Sequence, residues 1–281
     1  MANQFGGKWT KDKIEIFVKY TKAYLEIMKD RTYFSLIYFD GFAGSGAIMQ
    51  DGSDYDLLEG VAKQVLDIEQ PRIFDIYYFV EKDPKNQETL DALVKSQYPN
   101  RNAFVVCNDC NNRLLTMADF LNRPQNKKYK VLAFIDPYGM QVKWSSLEAL
   151  KDLSMDMWIL VPTGLGVTRL LKNNGDIEDS LMQRLETFLG LSSEEIKGHF
   201  YKSVSLTNLF GEDETHVVKE TKITQKAAEL YQERLKSIFK HVSKPLQMTN
   251  SRGSVMYHFI MCSNNKVAVK IANDIVTPKF K

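Results

Sequence analysis

The chain has 281 residues, 44% of them hydrophobic, which is enough to bury one large core and allows about two domains. Its 37 basic and 35 acidic side chains leave a formal charge of +2, so no global field draws it to nucleic acid or anionic lipid, and any such partner must be held by a local patch. Three cysteines, Cys107, Cys110 and Cys262, are too few for a disulfide framework and fit a reducing compartment. The opening MANQFGGKWT lacks an apolar signal core, and no stretch reaches about 18 uninterrupted apolar residues, so a cytoplasmic location without membrane contact is expected.

In chain order, Ile14, Phe17, Val18, Leu25 and Ile27 recur at roughly helical spacing between Lys11 and Met28, with Thr10 as the expected N-cap. Five brief apolar runs then read as strands: Tyr33 to Phe39, Ile73 to Val80, Ala103 to Cys107, Val131 to Ile135 and Met157 to Val161. Their continuous hydrophobicity predicts strands covered on both faces. Helical segments are expected between them at about 54 to 68, 85 to 97, 110 to 121 and 144 to 151, and the alternation predicts a parallel sheet.

Residues 165–243 are mostly helical in pattern, with Leu181, Leu185, Phe188 and Leu189 on one face and Leu230, Leu235 and Ile238 further on; they read as an insertion or lid packed on the core. Two β-like runs, Lys244 to Met248 and Ser254 to Met261, flank the turn residues Asn250, Ser251, Arg252 and Gly253 and predict an antiparallel hairpin closing the sheet. An apolar run around Val267 to Ile275 ends the chain. The predicted organisation is a helix and core over 1–164, a helical insertion over 165–243 and sheet-completing strands over 244–281. The fold class is α/β, a mostly parallel Rossmann-like sheet with a C-terminal antiparallel hairpin and a helical insertion.

The segment Asp40-Gly41-Phe42-Ala43-Gly44-Ser45-Gly46 directly follows the first strand. Gly44 and Gly46 permit backbone angles and a close approach that a β-carbon would block, so the loop can pass beneath a ribose and an amino-acid moiety, while Asp40 can bind an ammonium group. A dinucleotide would call for a third glycine and a helix N-terminus at its pyrophosphate. The third glycine is missing. S-adenosylmethionine has no phosphate and a cationic methionyl end, and suits an acidic residue with two glycines better.

The second strand ends in Phe79-Val80-Glu81-Lys82-Asp83-Pro84, which sets Glu81, with Lys82 beside it, where ribose hydroxyls would lie; Asp83, just before Pro84, reads as a helix cap. The third ends in Cys107-Asn108-Asp109-Cys110, where Asp109 either accepts from an adenine amine or caps a helix. Cys107 and Cys110 form a lone C-x-x-C without the four ligands zinc needs, and read as inert thiols. The fourth strand delivers Phe134-Ile135-Asp136-Pro137-Tyr138-Gly139. An exocyclic amine attacked through its lone pair needs an acceptor for its hydrogens and a planar side chain against its ring, which Asp136 and Tyr138 offer. Pro137 removes a backbone donor and fixes the turn; a bare Asp-Pro-Tyr-Gly turn is the structural alternative.

Together, D-G-F-A-G-S-G, F-V-E-K-D, C-N-D and F-I-D-P-Y-G resemble the successive motifs of class I methyltransferases over about residues 33 to 162. Within that class the chain looks most like the bacterial three-Cys-motif partner family, on the K-W-T lead-in at Lys8 to Thr10, the glycine loop, D-P-Y-G and the segment Ser251 to Ile260. That resemblance implies a three-Cys-motif partner protein. Asp136-Pro137-Tyr138-Gly139 is also similar to the D-P-F/Y-G of tRNA guanine-amine methyltransferases and more loosely to the D-P-P-Y of base-amine enzymes, which implies nitrogen methylation with Asp136, Pro137 and Tyr138 as the catalytic set. The second proline of D-P-P-Y is absent. The Gly46 to Glu81 separation exceeds the roughly 20 residues of a compact unit, which predicts a loop insertion at about 47 to 55.

For a nucleic-acid substrate, the insertion offers Lys222, Lys226, Arg234, Lys236, Lys240 and Lys244 near Tyr231 and Phe239; a solvated helix face is the plainer reading. Arg123, Lys127, Lys128 and Lys130 precede a strand and fall opposite the crevice. The rival readings are a methyltransferase of small molecules or proteins, and a non-catalytic subunit serving its partner.

Overall fold

A computed structural model describes residues 8–48, 58–207 and 213–277. Its elements in chain order are α1 (Lys8–Met28), β1 (Ser35–Asp40), β2 (Ala47–Ile48), β3 (Leu58–Glu59), α2 (Val61–Leu66), β4 (Ile76–Glu81), α3 (Pro84–Gln97), β5 (Ala103–Cys107), α4 (Cys110–Asn122), β6 (Tyr129–Ile135), α5 (Trp144–Glu148) and β7 (Met155–Val161). They continue with α6 (Thr168–Leu170), α7 (Asp179–Leu189), α8 (Ser193–Phe200), β8 (Tyr201–Thr207), β9 (Asp213–Lys219), α9 (Ile223–Leu235), β10 (His241–Val242), β11 (Leu246–Thr249), β12 (Val255–Ser263) and α10 (Lys266–Val276).

The central sheet runs β10-β12-β7-β6-β1-β4-β5, with β11 on the same edge of β12 as β10. The strands β5, β4, β1, β6 and β7 are mutually parallel. β12 lies antiparallel to β7, and β10 and β11 lie antiparallel to β12. This is the expected mostly parallel Rossmann-like sheet with a terminal antiparallel hairpin. Asn250 forms the hairpin corner by accepting the N–H groups of Arg252 and Ser254 on its side-chain oxygen, both at 3.0 Å, and Gly253 takes the positive φ there.

Period-two alternation explains why the sheet is covered twice from β4 through β12. The edge strand β5, expected to be covered on both faces as well, has no fully buried residue and leaves Phe104 49% exposed, because no described strand pairs with its outer edge. In β6, Val131, Ala133 and Ile135 join an apolar cluster with α4, α5, α7, α8 and α9, while Leu132 and Phe134 join another with α1, α2, α3 and α10. β1 divides the same way: Ile37 and Phe39 face the first cluster, Leu36 and Tyr38 the second. Trp158, Tyr38, Tyr77, Phe39, Phe79 and Phe134 are all buried almost completely, and each such ring stabilises the fold by roughly 1.5–3 kcal/mol.

Thr10, expected as an N-cap, instead lies inside α1 and is buried. Trp9 stacks on Tyr257 at 5.2 Å between ring centroids, and that contact carries the helix past Thr10 toward the N-terminus. The apolar run near the C-terminus is a helix, α10. The expected helical segment 165–243 also contains the β8–β9 hairpin; its strands alternate β-branched and polar residues at Val204, Ser205, Thr215 and Val217, a pattern suited to strands. Of the expected loop insertion, Ala47–Ile48 pairs with Leu58–Glu59, and 49–57 lie outside the described residues.

After β7 the chain makes a π turn, with Val167 N–H donating to Pro162 O at 3.1 Å. A β-carbon on Gly164 in that turn would lie 1.9 Å from the Val255 carbonyl oxygen. Gly164→Ala is expected to destabilise the protein by about 3 kcal/mol or more, read as a lower denaturant midpoint with an unchanged slope; a wild-type midpoint would show that β12 does not press on this turn.

Candidate functional site at the C-terminal rim

The ends of β1, β4, β5 and β6 open on one rim because these four strands are parallel. Alternation then sorts their polar ends. Leu36, Tyr38 and Asp40 share a face, as do Leu132, Phe134 and, one residue beyond β6, Asp136; since Asp40 pairs with Phe134, both carboxylates sit toward α1. Gly41 N–H donates to Phe134 O at 2.9 Å and Ala43 N–H to Val80 O at 3.0 Å, so the glycine loop is laced to both neighbouring strands. Gly44 N–H donates to Glu81 Oε2 at 2.8 Å, and Asp83 N–H to Glu81 Oε1 at 2.8 Å. Gly44, Glu81 and Asp136 thus belong to one rim.

Gly44 and Gly46 take φ values of +62° and +81°, the left-handed region where glycine carries no penalty. The two differ in surroundings. A β-carbon on Gly46 would press on Leu90 at 3.0 Å, whereas one on Gly44 would meet nothing within 4 Å and project into open space. Phe42 N–H donates to Asp40 Oδ1 at 3.1 Å and Tyr38 O–H to Asp40 Oδ2 at 3.0 Å. Asp40 is only 2% exposed, and burial is the largest influence on it, pushing its carboxyl up to about 7 against the opposing pull of those two donors. The Asp136 carboxylate pushes the same way and the Lys13 ammonium opposes it.

Asp109 caps α4 by accepting Asn111 N–H at 2.9 Å, and its other oxygen accepts from Lys82 at 3.2 Å. Asp83 caps α3 by accepting Asn86 N–H at 3.0 Å. Asn111, buried behind Asp109, donates to Gln141 O and accepts Lys143 N–H, which pins the loop after Asp136-Pro137-Tyr138-Gly139 to α4. Tyr138 is 66% exposed, and its N–H donates to Gln141 Oε1 at 2.8 Å.

Sequence reasoning passes over the group that touches Asp136. Lys13 donates to Asp136 Oδ2 from a side chain that is 5% exposed, against 23% for Asp136. Its ammonium also lies 5.3 Å from the Trp9 ring centroid and 5.9 Å from that of Phe134. The signal it leaves is a charge on the apolar stripe of α1, in line with Phe17, Tyr20 and Tyr24. Tyr257 was missed as well: burial first, then the Asp136 carboxylate and Tyr138, push its hydroxyl up to about 12, with Arg169 opposing. Beside it on β12, His258 shares a hydrogen bond of 2.7 Å with Thr163, and burial pushes its imidazole down to about 4, so it is neutral at pH 7.

The basic insertion is differently built from expectation. Tyr231 and Phe239 are buried in the core and present no ring to a base, because α9 turns its apolar stripe onto α5 and α7. Arg234 lies over the Trp144 ring at 4.3 Å and donates to Gly190 O, while Lys226 and Lys236 pair with Glu220 and Glu233. Cys107 is exposed, Cys110 and Cys262 are buried, and no metal-holding cluster occurs among the described residues. None of the described helices is long and apolar enough to cross a membrane.

No family model matches the chain, and no curated protein matches it. Among solved structures it is similar to protein LPL1258 from Legionella pneumophila, at 14% identity and a TM-score of 0.45, covering 92% of this chain and 98% of that one. An S-adenosylmethionine-dependent methyltransferase from Clostridium acetobutylicum aligns at 11% identity and a TM-score of 0.36 over 88% of this chain and 92% of that one. Trm1 from Pyrococcus horikoshii, solved with S-adenosyl-L-methionine, aligns at 8% identity and a TM-score of 0.37 over 96% of this chain and 77% of that one. Likeness at this level does not speak to function, and the fold rests on strand order and register.

The state of Asp40 has a measurable sign. An acid whose folded-state value is raised stabilises the fold fully below the ordinary carboxylate range, and that stability is lost as pH rises from about 4 toward 7. Asp40→Asn is therefore expected to gain stability relative to wild type across that window, by up to about 1.4 kcal/mol per pH unit; parallel stability profiles for the two proteins would show that Asp40 is not held in a charge-disfavouring site.

Proposed function

We propose that the protein is an S-adenosylmethionine-dependent methyltransferase that N-methylates an exocyclic amine of a nucleic-acid base. The observation that carries this is the shared rim: the glycine loop tied to Glu81 on one side, and Asp136-Pro137-Tyr138 on the other, with an exposed ring at its mouth. The residues fit the cofactor. Open space beside Gly44 leaves room for the ribose and methionyl part, and Glu81 keeps lone pairs on both oxygens beyond the N–H groups it accepts.

When bound, S-adenosylmethionine supplies an electrophilic methyl group on its sulfonium sulfur. Glu81 orients the ribose hydroxyls by accepting their hydrogens, and Asp109, with Lys82 on its second oxygen, stands by the base of the nucleoside. Asp40 sets the loop by accepting Phe42 N–H; its carboxyl is enclosed and makes no direct contact with the methionyl ammonium. Asp136 accepts an N–H of the acceptor amine, which turns the nitrogen lone pair toward the cofactor; as the N–C bond formed and the S–C bond broke, the sulfur would leave as a neutral thioether and the proton on that N–H would pass by way of Asp136 to solvent. Tyr138 stacks on the acceptor ring, and the chain's contribution to rate is chiefly this alignment.

With Tyr231 and Phe239 buried, the nucleic acid meets the crevice mouth, where Tyr138 and Arg169 stand on the surface. The 23% exposure of Asp136 favours a catalytic site over a merely structural subunit with an enclosed carboxylate. The resemblance to the three-Cys-motif partner family adds a partner protein of that kind to the reading.

Calorimetric titration with S-adenosylmethionine should show one site per chain, weakened about tenfold or more by Glu81→Ala. Labelled-methyl transfer to DNA or RNA, with and without the partner protein, should fall by about 100-fold or more in Asp136→Ala with cofactor binding retained. Transfer that persists in that variant would remove Asp136 from the mechanism, and a wild-type chain that does not bind the cofactor would remove the whole reading.

A further inference from the structure

We propose that Lys13 is a positioning and selectivity residue: it holds Asp136 Oδ2, leaving the second carboxylate oxygen for the N–H of a neutral amine and no unbalanced charge for an alkylammonium acceptor. The substrate half of this rests on the methyltransferase reading above; the pairing half does not.

A lysine ammonium is among the most costly groups to bury unless paired. Lys13 is 5% exposed, and the ring of Trp9 on one side and of Phe134 on the other confines it. The helix has no freedom to withdraw it. Phe17, four residues on, sits against Phe134 at 4.4 Å between ring centroids, and Tyr20, a further turn on, donates to Asp156 Oδ2 at 3.0 Å. α1 is thus fastened along the sheet face, and Lys13 is delivered to Asp136 by a rigid element. Asp136, one residue past β6 and followed by proline, has few ways to turn once one oxygen is fixed.

The consequence for the substrate follows from charge. Asp40 is enclosed and already engaged by Tyr38 and Phe42, so Asp136 is the carboxylate that reaches the crevice. Its charge is balanced by Lys13. What it offers is a hydrogen-bond acceptor, which a planar neutral amine uses without bringing charge. A protein lysine or an alkylamine, protonated at pH 7, would place a second ammonium beside the first without a second anion.

The test compares the wild-type chain, Lys13→Met, Lys13→Arg, Asp136→Asn and the Lys13→Met/Asp136→Asn double variant. Each loss-of-pair variant should lower Tm by about 5 °C or more, and the double variant by clearly less than the sum, because neither charge is then left alone. In labelled-methyl transfer to single-stranded oligonucleotides, Lys13→Met should lose about tenfold or more in kcat with the KM for S-adenosylmethionine unchanged, and Lys13→Arg should recover most of it. A lysine-bearing peptide should take no label from wild type. Additive Tm losses, a wild-type kcat in Lys13→Met, or label on the peptide would each overturn the proposal. A wild type that transfers no methyl to any acceptor overturns the methyltransferase reading and the substrate half with it, while the Tm cycle still decides whether Lys13 acts through Asp136.

Discussion

Burial of both faces of the central sheet is the constraint from which the site follows. Strands whose odd and even side chains are both apolar cannot present chemistry on a face, so polar residues are confined to strand ends and the loops beyond them. Because β1, β4, β5 and β6 all point the same way, those ends converge, and Asp40, Glu81, Asp109 and Asp136 become neighbours although the chain separates them by up to 96 residues. The antiparallel β12 contributes the reverse end of its strand to the same rim, which is why Tyr257 and His258 stand beside residues they are remote from in sequence.

Two carboxylates at adjacent strand ends repel each other, and the fold treats them differently. Asp40 is enclosed and held by a phenol and a backbone N–H, with its proton affinity raised. Asp136 keeps a path to solvent and is paired with a cation from α1. One carboxylate therefore shapes the loop while the other can meet a ligand. This division is produced by burial and by one lysine rather than by any difference in residue type.

The α1 helix links this rim to the opposite end of the sheet. There Tyr20 and Ser263 donate to Asp156, at 3.0 and 2.5 Å, and Lys130 stacks over Phe34 and donates to Ser154. Helix, sheet and terminal hairpin are joined by these polar contacts in addition to the aromatic packing between Tyr20 and Trp158. They set the height of α1 on the sheet, and with it the place of Lys13.

The strands, their parallel direction and the polar strand ends were legible in the sequence because each depends on local pattern: apolar runs of five to eight residues, glycines after Asp40, a proline after Asp83 and after Asp136. Capping by Asp83 was legible for the same reason, while for Asp109 it was one of two open readings beside an adenine contact. What lay beyond the sequence depended on contacts between distant segments. Thr10 lost its cap role to the stacking of Trp9 on Tyr257, and Tyr231 and Phe239 turned inward because α9 had an apolar face to bury. By itself the sequence determined the alternation that buries the sheet and the chemistry available at its rim. Only the tertiary structure decided which cation faces Asp136 and which carboxylate stays open, since those choices rest on how α1 lies across strands more than a hundred residues away.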